Sequence, residues 1–144
     1  MRIFHVDSPA TESHPFALAS GRVRPLVELT PYEPAASFQK RRHSALVGTG
    51  LDVWLVQYGV QNLIIRGIRT EQYCEITACH ASDLGFAVDY VVDATLTFYM
   101  SLPNGVPLPA QDIKDRTAAV LKDRFARICS VEDAREKSVS VATT

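Results

Sequence analysis

The stretch Leu63–Phe98, LIIRGIRTEQYCEITACHASDLGFAVDYVVDATLTF, constrains the fold more than any other part of the chain. Leu63-Ile64-Ile65 is a short, β-branched apolar run, the pattern of a buried strand, and Gly67 closes it. Thr70 is placed to cap a helix, and Glu71 in its first turn suits the helix dipole. The spacing predicts a helix from about Glu71 to about Leu84, ended by Gly85. A second strand is predicted over Ala87–Val92, with Asp93 just past its end. Strand, tight turn, helix and strand make a βαβ unit with parallel strands. Ligands of such sheets bind beyond the carboxyl ends of the strands, so Gly67–Cys74 is the predicted edge of any active site.

Composition narrows the function classes. A length of 144 residues suits one core, so a single domain is expected over 1–136, followed by a flexible tail over 137–144. A net charge of −1, with Lys and Arg dispersed apart from Lys40-Arg41-Arg42, argues against nucleic acid as a partner. No apolar run approaches the roughly 20 residues of a membrane helix, and the first residues lack the apolar core of a signal peptide. Cys74, Cys79 and Cys129 form no spaced framework, which predicts reduced thiols and a cytoplasmic location.

Along the chain, strands are expected at Arg2–Asp7, Ala35–Gln39 and Ile128–Val131. Helices are expected over Arg22–Leu29, Gly50–Tyr58 with Thr49 as cap, and Ala110–Arg127. In the central helix, Cys74, Thr77, Ala78 and Ala81 form a face of small residues for packing on the sheet. Glu71, Glu75 and Ser82 fall on the opposite, solvated side. A terminal turn is expected at Glu132–Glu136. Alternating strands and helices indicate a three-layer α/β/α sandwich with a mostly parallel, Rossmann-like sheet. Gly48-Thr49-Gly50 is not a phosphate loop, because the G-x-x-x-x-G-K-[ST] frame is absent, and no G-x-G-x-x-G follows any strand.

The words GIRTEQYCEITACHASDLGF and VVDATLTF resemble the isochorismatase-like cysteine hydrolases. The family pattern is roughly G-[VI]-x-T-x-x-C-[VC]-x-x-T-A, then A-x-x-x-G and a strand ending in D-A. The segment from Lys40 to Leu51 is similar to the family's K-x-x-x-S-A-F-x-G-T-x-L, with Leu46 in place of phenylalanine. Roughly residues 22–132 can be followed. The resemblance implies a cysteine nucleophile at the first turn of the central helix. There, backbone N–H groups lower a thiol's pKa and hold an oxyanion. Ungapped alignment on Gly67, Thr70, Thr77 and Ala78 puts Tyr73 at the nucleophile position and Cys74 one residue later, about 100° around the helix. It also implies a catalytic lysine at Lys40, a pocket built from Ile68, Arg69 and Thr70, and a non-proline cis bond at Ile68–Arg69.

The same resemblance implies a first strand ending in a catalytic aspartate, in an apolar-D-x-Q context. The chain has no such element, and Arg2–Asp7 matches the family's second strand. Two explanations stand: an upstream strand lost from the recorded start, or a shortened relative. Cys74 is a candidate displaced nucleophile, and each site residue has a plain alternative: Lys40 as a loop cation, Tyr73 as a space filler, Cys74 as a small buried thiol packed under the helix. His5, Asp7 and His14 do not match the D-x-H-x-x-x-H spacing of the nicotinamidase branch, so neither a metal nor a cofactor is expected. The resemblance thus implies a hydrolase of a small amide, imide or vinyl ether with impaired catalysis, acting on a small-molecule partner as a homodimer or higher homo-oligomer. The alternative is a non-catalytic, ligand-binding or oligomer-forming member.

Overall fold

A computed structural model describes residues 1–5, 14–25, 27 and 30–141. It divides into two compact units, Met1–Trp54 and Leu55–Thr144. Expectations about Asp7, and about positions 26, 28 and 29 of the Arg22–Leu29 helix, lie outside the described residues. The described part of that segment, 22–25 and 27, is not helical.

In the first unit, strand β1 (Arg2–His5) pairs in parallel with β2 (Ser37–Lys40). Ser44, Ala45 and Leu46 are buried in the loop that follows, so this basic segment is a packed turn. Thr49 closes it: its hydroxyl donates to the Ala45 carbonyl at 2.7 Å and accepts from the Leu51 N–H at 3.1 Å. The second bond is the predicted cap of helix α1 (Leu51–Gln57), which spans the junction between the units. Phe38 meets Trp54 edge to face at 6.0 Å.

The second unit is a three-layer sandwich. Its sheet runs β3 (Asn62–Ile68), β4 (Ala87–Leu96), β7 (Arg127–Cys129), all parallel. Central strand β4 is buried from Val88 to Val91 and is longer than its sequence predicts. Its register against β3 jumps from Ile65↔Tyr90 to Gly67↔Thr95, so a bulge carries Asp93 within the strand. Alternation along β4 sorts the helices onto two faces. Tyr90 points to the layer of α2 (Glu75–Asp83), its hydroxyl reaching the turn that begins that helix. Asp89 and Val91 point to α4 (Val131–Val141), meeting Lys137 and the cluster of Cys129 and Ala134. Helix α3 (Ala110–Leu121) joins the α2 layer through Arg116 and Thr117, which both bond Glu75. A small antiparallel hairpin, β5 (Met100–Ser101) and β6 (Pro107–Leu108), precedes α3.

Two helix ends differ from expectation. Helix α3 stops at Leu121 rather than Arg127: Asp123 has a φ of 59°, and the Phe125 and Ala126 N–H groups both return to the Leu121 carbonyl. Helix α4 runs to Val141, where the sequence reading has a turn and then a tail from Lys137. Ser130 and Asp133 explain its start. The Ser130 hydroxyl accepts from the Asp133 N–H at 3.1 Å, and the Asp133 carboxylate accepts from the Ser130 N–H at 2.8 Å. No helix among the described residues is long and apolar enough to cross a membrane.

Candidate active site

The chain from Gly67 to Cys74 joins the carboxyl end of β3 to the amino end of α2, as the sequence predicts. Gly67 has a φ of +135°, which side-chain-bearing residues rarely adopt, and the bond Ile68–Arg69 is cis. Residues Thr70–Cys74 then form one π-helical turn, in which the Cys74 N–H reaches back to the Arg69 carbonyl at 3.1 Å.

Thr70 does not cap the helix. The residue before the turn is Arg69, and no side chain caps it. Thr70 is instead fully buried, and its hydroxyl donates to Thr95 Oγ1 at 2.9 Å. Thr95 in turn donates to the Val92 carbonyl at 2.9 Å, within the bulge of β4. Tyr90 donates to the Thr70 carbonyl at 2.9 Å. Burial pushes the Tyr90 phenol far above its ordinary range, so it remains a donor at every working pH. Two residues of β4, Tyr90 and Thr95, thus fix one residue of the turn, and Val92 anchors Thr95.

The small-residue face behaves as its spacing predicts: Cys74, Ala78 and Ala81 are buried. Cys74 is 5 % exposed. A Cβ placed on Gly67 would meet its Sγ at 3.7 Å, so the thiol lies under the turn against the glycine backbone. Tyr73 is half-buried, and its carbonyl accepts from the Thr77 hydroxyl at 2.6 Å. Ile68 is exposed and Arg69 half-buried. The turn therefore collects Ile68, Arg69, Thr70, Tyr73 and Cys74. Lys40 belongs to the first unit. It is 6 % exposed and donates to the Arg42 and His43 carbonyls at 2.9 and 3.1 Å, so it is not a solvated loop cation.

The glutamates assigned to the solvated side are not solvated. The Glu71 side chain is 10 % exposed and accepts from the Thr97 hydroxyl; that of Glu75 is 13 % exposed, paired with Arg116 at 2.6 Å and bonded by Thr117 at 2.9 Å. Helical spacing put them opposite the small face, but α3 and the end of β4 cover that side. The threonines at Thr95 and Thr97, two apart on a strand end, were the available signal for polar partners.

The family model described as Isochorismatase domain matches residues 4–133. An uncharacterized isochorismatase family protein of Bacillus subtilis is 28% identical over 102 residues, covering 71% of this chain and 54% of its own length. Nicotinamidase 3 of Arabidopsis thaliana is 38% identical over 65 residues, 45% of this chain and 33% of the relative. The chain therefore spans about half the length of the first and a third of the second. Among solved structures, an isochorismatase from Pseudomonas putida superposes with a TM-score of 0.77 at 25% identity, covering 91% of this chain and 66% of that one. A cysteine hydrolase from Pseudomonas syringae shares the fold at a TM-score of 0.85 and 17% identity, over 96% of this chain and 70% of that one.

Proposed function

Because the chain belongs to the isochorismatase family, we propose that it carries the family's hydrolase site in an altered form, binding a small amide, imide or vinyl ether with weakened turnover. The observation that carries this reading is the position of Cys74. A nucleophilic thiol must reach a carbonyl carbon from an exposed helix N-terminus. The Cys74 thiol is instead buried against Gly67. Tyr73 takes the nucleophile position of the family pattern. Lys40, in the first unit, is the catalytic lysine that the resemblance implies, and its ammonium donates to two carbonyls. A match running from 4 to 133 supports treating both units as parts of one domain.

The second reading is a binding member that does no chemistry, and burial of Cys74 favours it as well. One assay separates the outcomes. The 144-residue chain is incubated with nicotinamide and other small amides, with Cys74→Ala as control. Little or no turnover, unchanged by the substitution, is expected. Clear turnover abolished by Cys74→Ala would show that Cys74 is the nucleophile and that Tyr73 is misaligned.

A further inference from the structure

Among the described residues, nothing hydrogen-bonds one carboxylate oxygen of Glu71. Its Oε2 accepts from the Thr97 hydroxyl at 2.5 Å. Its Oε1 is buried and has no hydrogen-bond partner. The Arg69 Nη1 stands 3.9 Å away, beyond hydrogen-bond range. The Arg69 guanidinium lies over the Phe98 ring at 5.0 Å, and its side chain is 35% exposed. Leaving a buried charged acceptor without a donor is unfavourable, and native structures rarely do so without a reason.

Location supplies the second half of the argument. Arg69 and Glu71 follow the carboxyl end of β3, and Thr97 and Phe98 follow that of β4. Ligands of parallel sheets sit beyond those ends. An ionised carboxylate only accepts hydrogen bonds, so the group that completes it must donate. A vinyl-ether oxygen or a second carboxylate has no proton to give.

We propose that Glu71 Oε1 is the acceptor for an N–H group of the ligand, so that the site selects N–H-bearing amides and imides, with Thr97 fixing the carboxylate and Arg69 as a movable cover. This rests on the small-amide reading above and narrows it to ligands that carry an N–H. The Arg69 side chain is suited to the role of cover. It is long, partly exposed, and held by a ring face rather than by a close ion pair. Swinging it from Phe98 opens Oε1 without breaking a hydrogen bond to Glu71.

The test uses two probes of nearly equal shape, benzamide and acetophenone, of which only the first has an N–H. Dissociation constants are measured on the whole chain by ligand-observed NMR. Benzamide is expected to bind about ten-fold tighter, the ratio that one charge-assisted hydrogen bond gives. In Glu71→Gln the ratio is expected to fall to about two-fold, because the acceptor loses its charge. Equal binding of the two probes to the wild-type chain, or no binding of either, overturns the proposal even if the variant fails to fold. So does a ratio unchanged in Glu71→Gln. Binding is read without turnover. Preference for benzamide without hydrolysis would leave Glu71 in its role and remove the hydrolase reading, and hydrolysis without that preference would do the reverse.

Discussion

Tyr90, in the middle of the central strand, donates its hydroxyl hydrogen to the Thr70 carbonyl at 2.9 Å, and so fixes the turn that begins α2 from 20 residues away. Tyr90 is fully buried, so water cannot replace the bond. Tyr90→Phe leaves the ring packing intact and strands the carbonyl, which costs about 1–3 kcal/mol. Urea unfolding should show a lower midpoint at unchanged slope. A midpoint equal to wild type would mean that the bond contributes nothing.

Asp89 ties the sheet to α4. Its side chain is 7% exposed and accepts from Arg127 at 2.8 and 3.1 Å and from Lys137 at 2.8 Å. The hydrogen bond from Arg127 is the largest influence and holds the carboxyl below its ordinary range, against the opposing effect of burial. Both cations are about half exposed, so Asp89→Asn should cost only about 1–2 kcal/mol at neutral pH. A depressed folded pKa stabilises fully above the unfolded value, about 3.9. That contribution is lost as pH falls through the lower folded value. The gap between wild type and variant should therefore be constant from neutrality to about pH 5 and close on further acidification. A gap that widens in acid contradicts the assignment.

Gly67 is required for its backbone and not for space. A methyl group there would meet Cys74 Sγ at 3.7 Å, an ordinary contact, but a φ of +135° strains any side-chain-bearing residue. Gly67→Ala should cost about 1–3 kcal/mol. Adding Cys74→Ala should not restore it, because no clash is being relieved. Recovery in the double variant, measured by thermal unfolding, would show that steric contact was the cause.

The three thiols differ in access. Cys74 and Cys129 are buried, while Cys79 is half-buried. Burial, with Glu75 and Asp83 nearby, pushes the Cys79 thiol above its ordinary value. A short iodoacetamide pulse should modify Cys79 first, and its rate should still be rising above about pH 8.5, because the thiolate is the reacting form. Peptide mass spectrometry decides it. Early labelling of Cys74 would contradict its position under the turn.

The order of elements around Gly67 was determined by sequence alone, because each signal is local. An apolar run, a glycine and a face of small residues at helical spacing specify a strand, a turn and a helix wherever they occur. The same pattern predicted the burial of Cys74, Ala78 and Ala81. What tertiary structure decided is which polar groups are satisfied, and by which partners. Thr70 was expected to bond a neighbour as a cap, but Thr95 and Tyr90 hold it from 25 and 20 residues away. Glu71 and Glu75 were expected in water, but Thr97 and Thr117 bond them from 26 and 42 residues away. Periodicity gives a helix an inner and an outer face relative to one sheet. It carries no information about a second helix or a strand end that comes to cover the outer face, and burial by those distant elements is what turns an ordinary surface glutamate into a fixed acceptor.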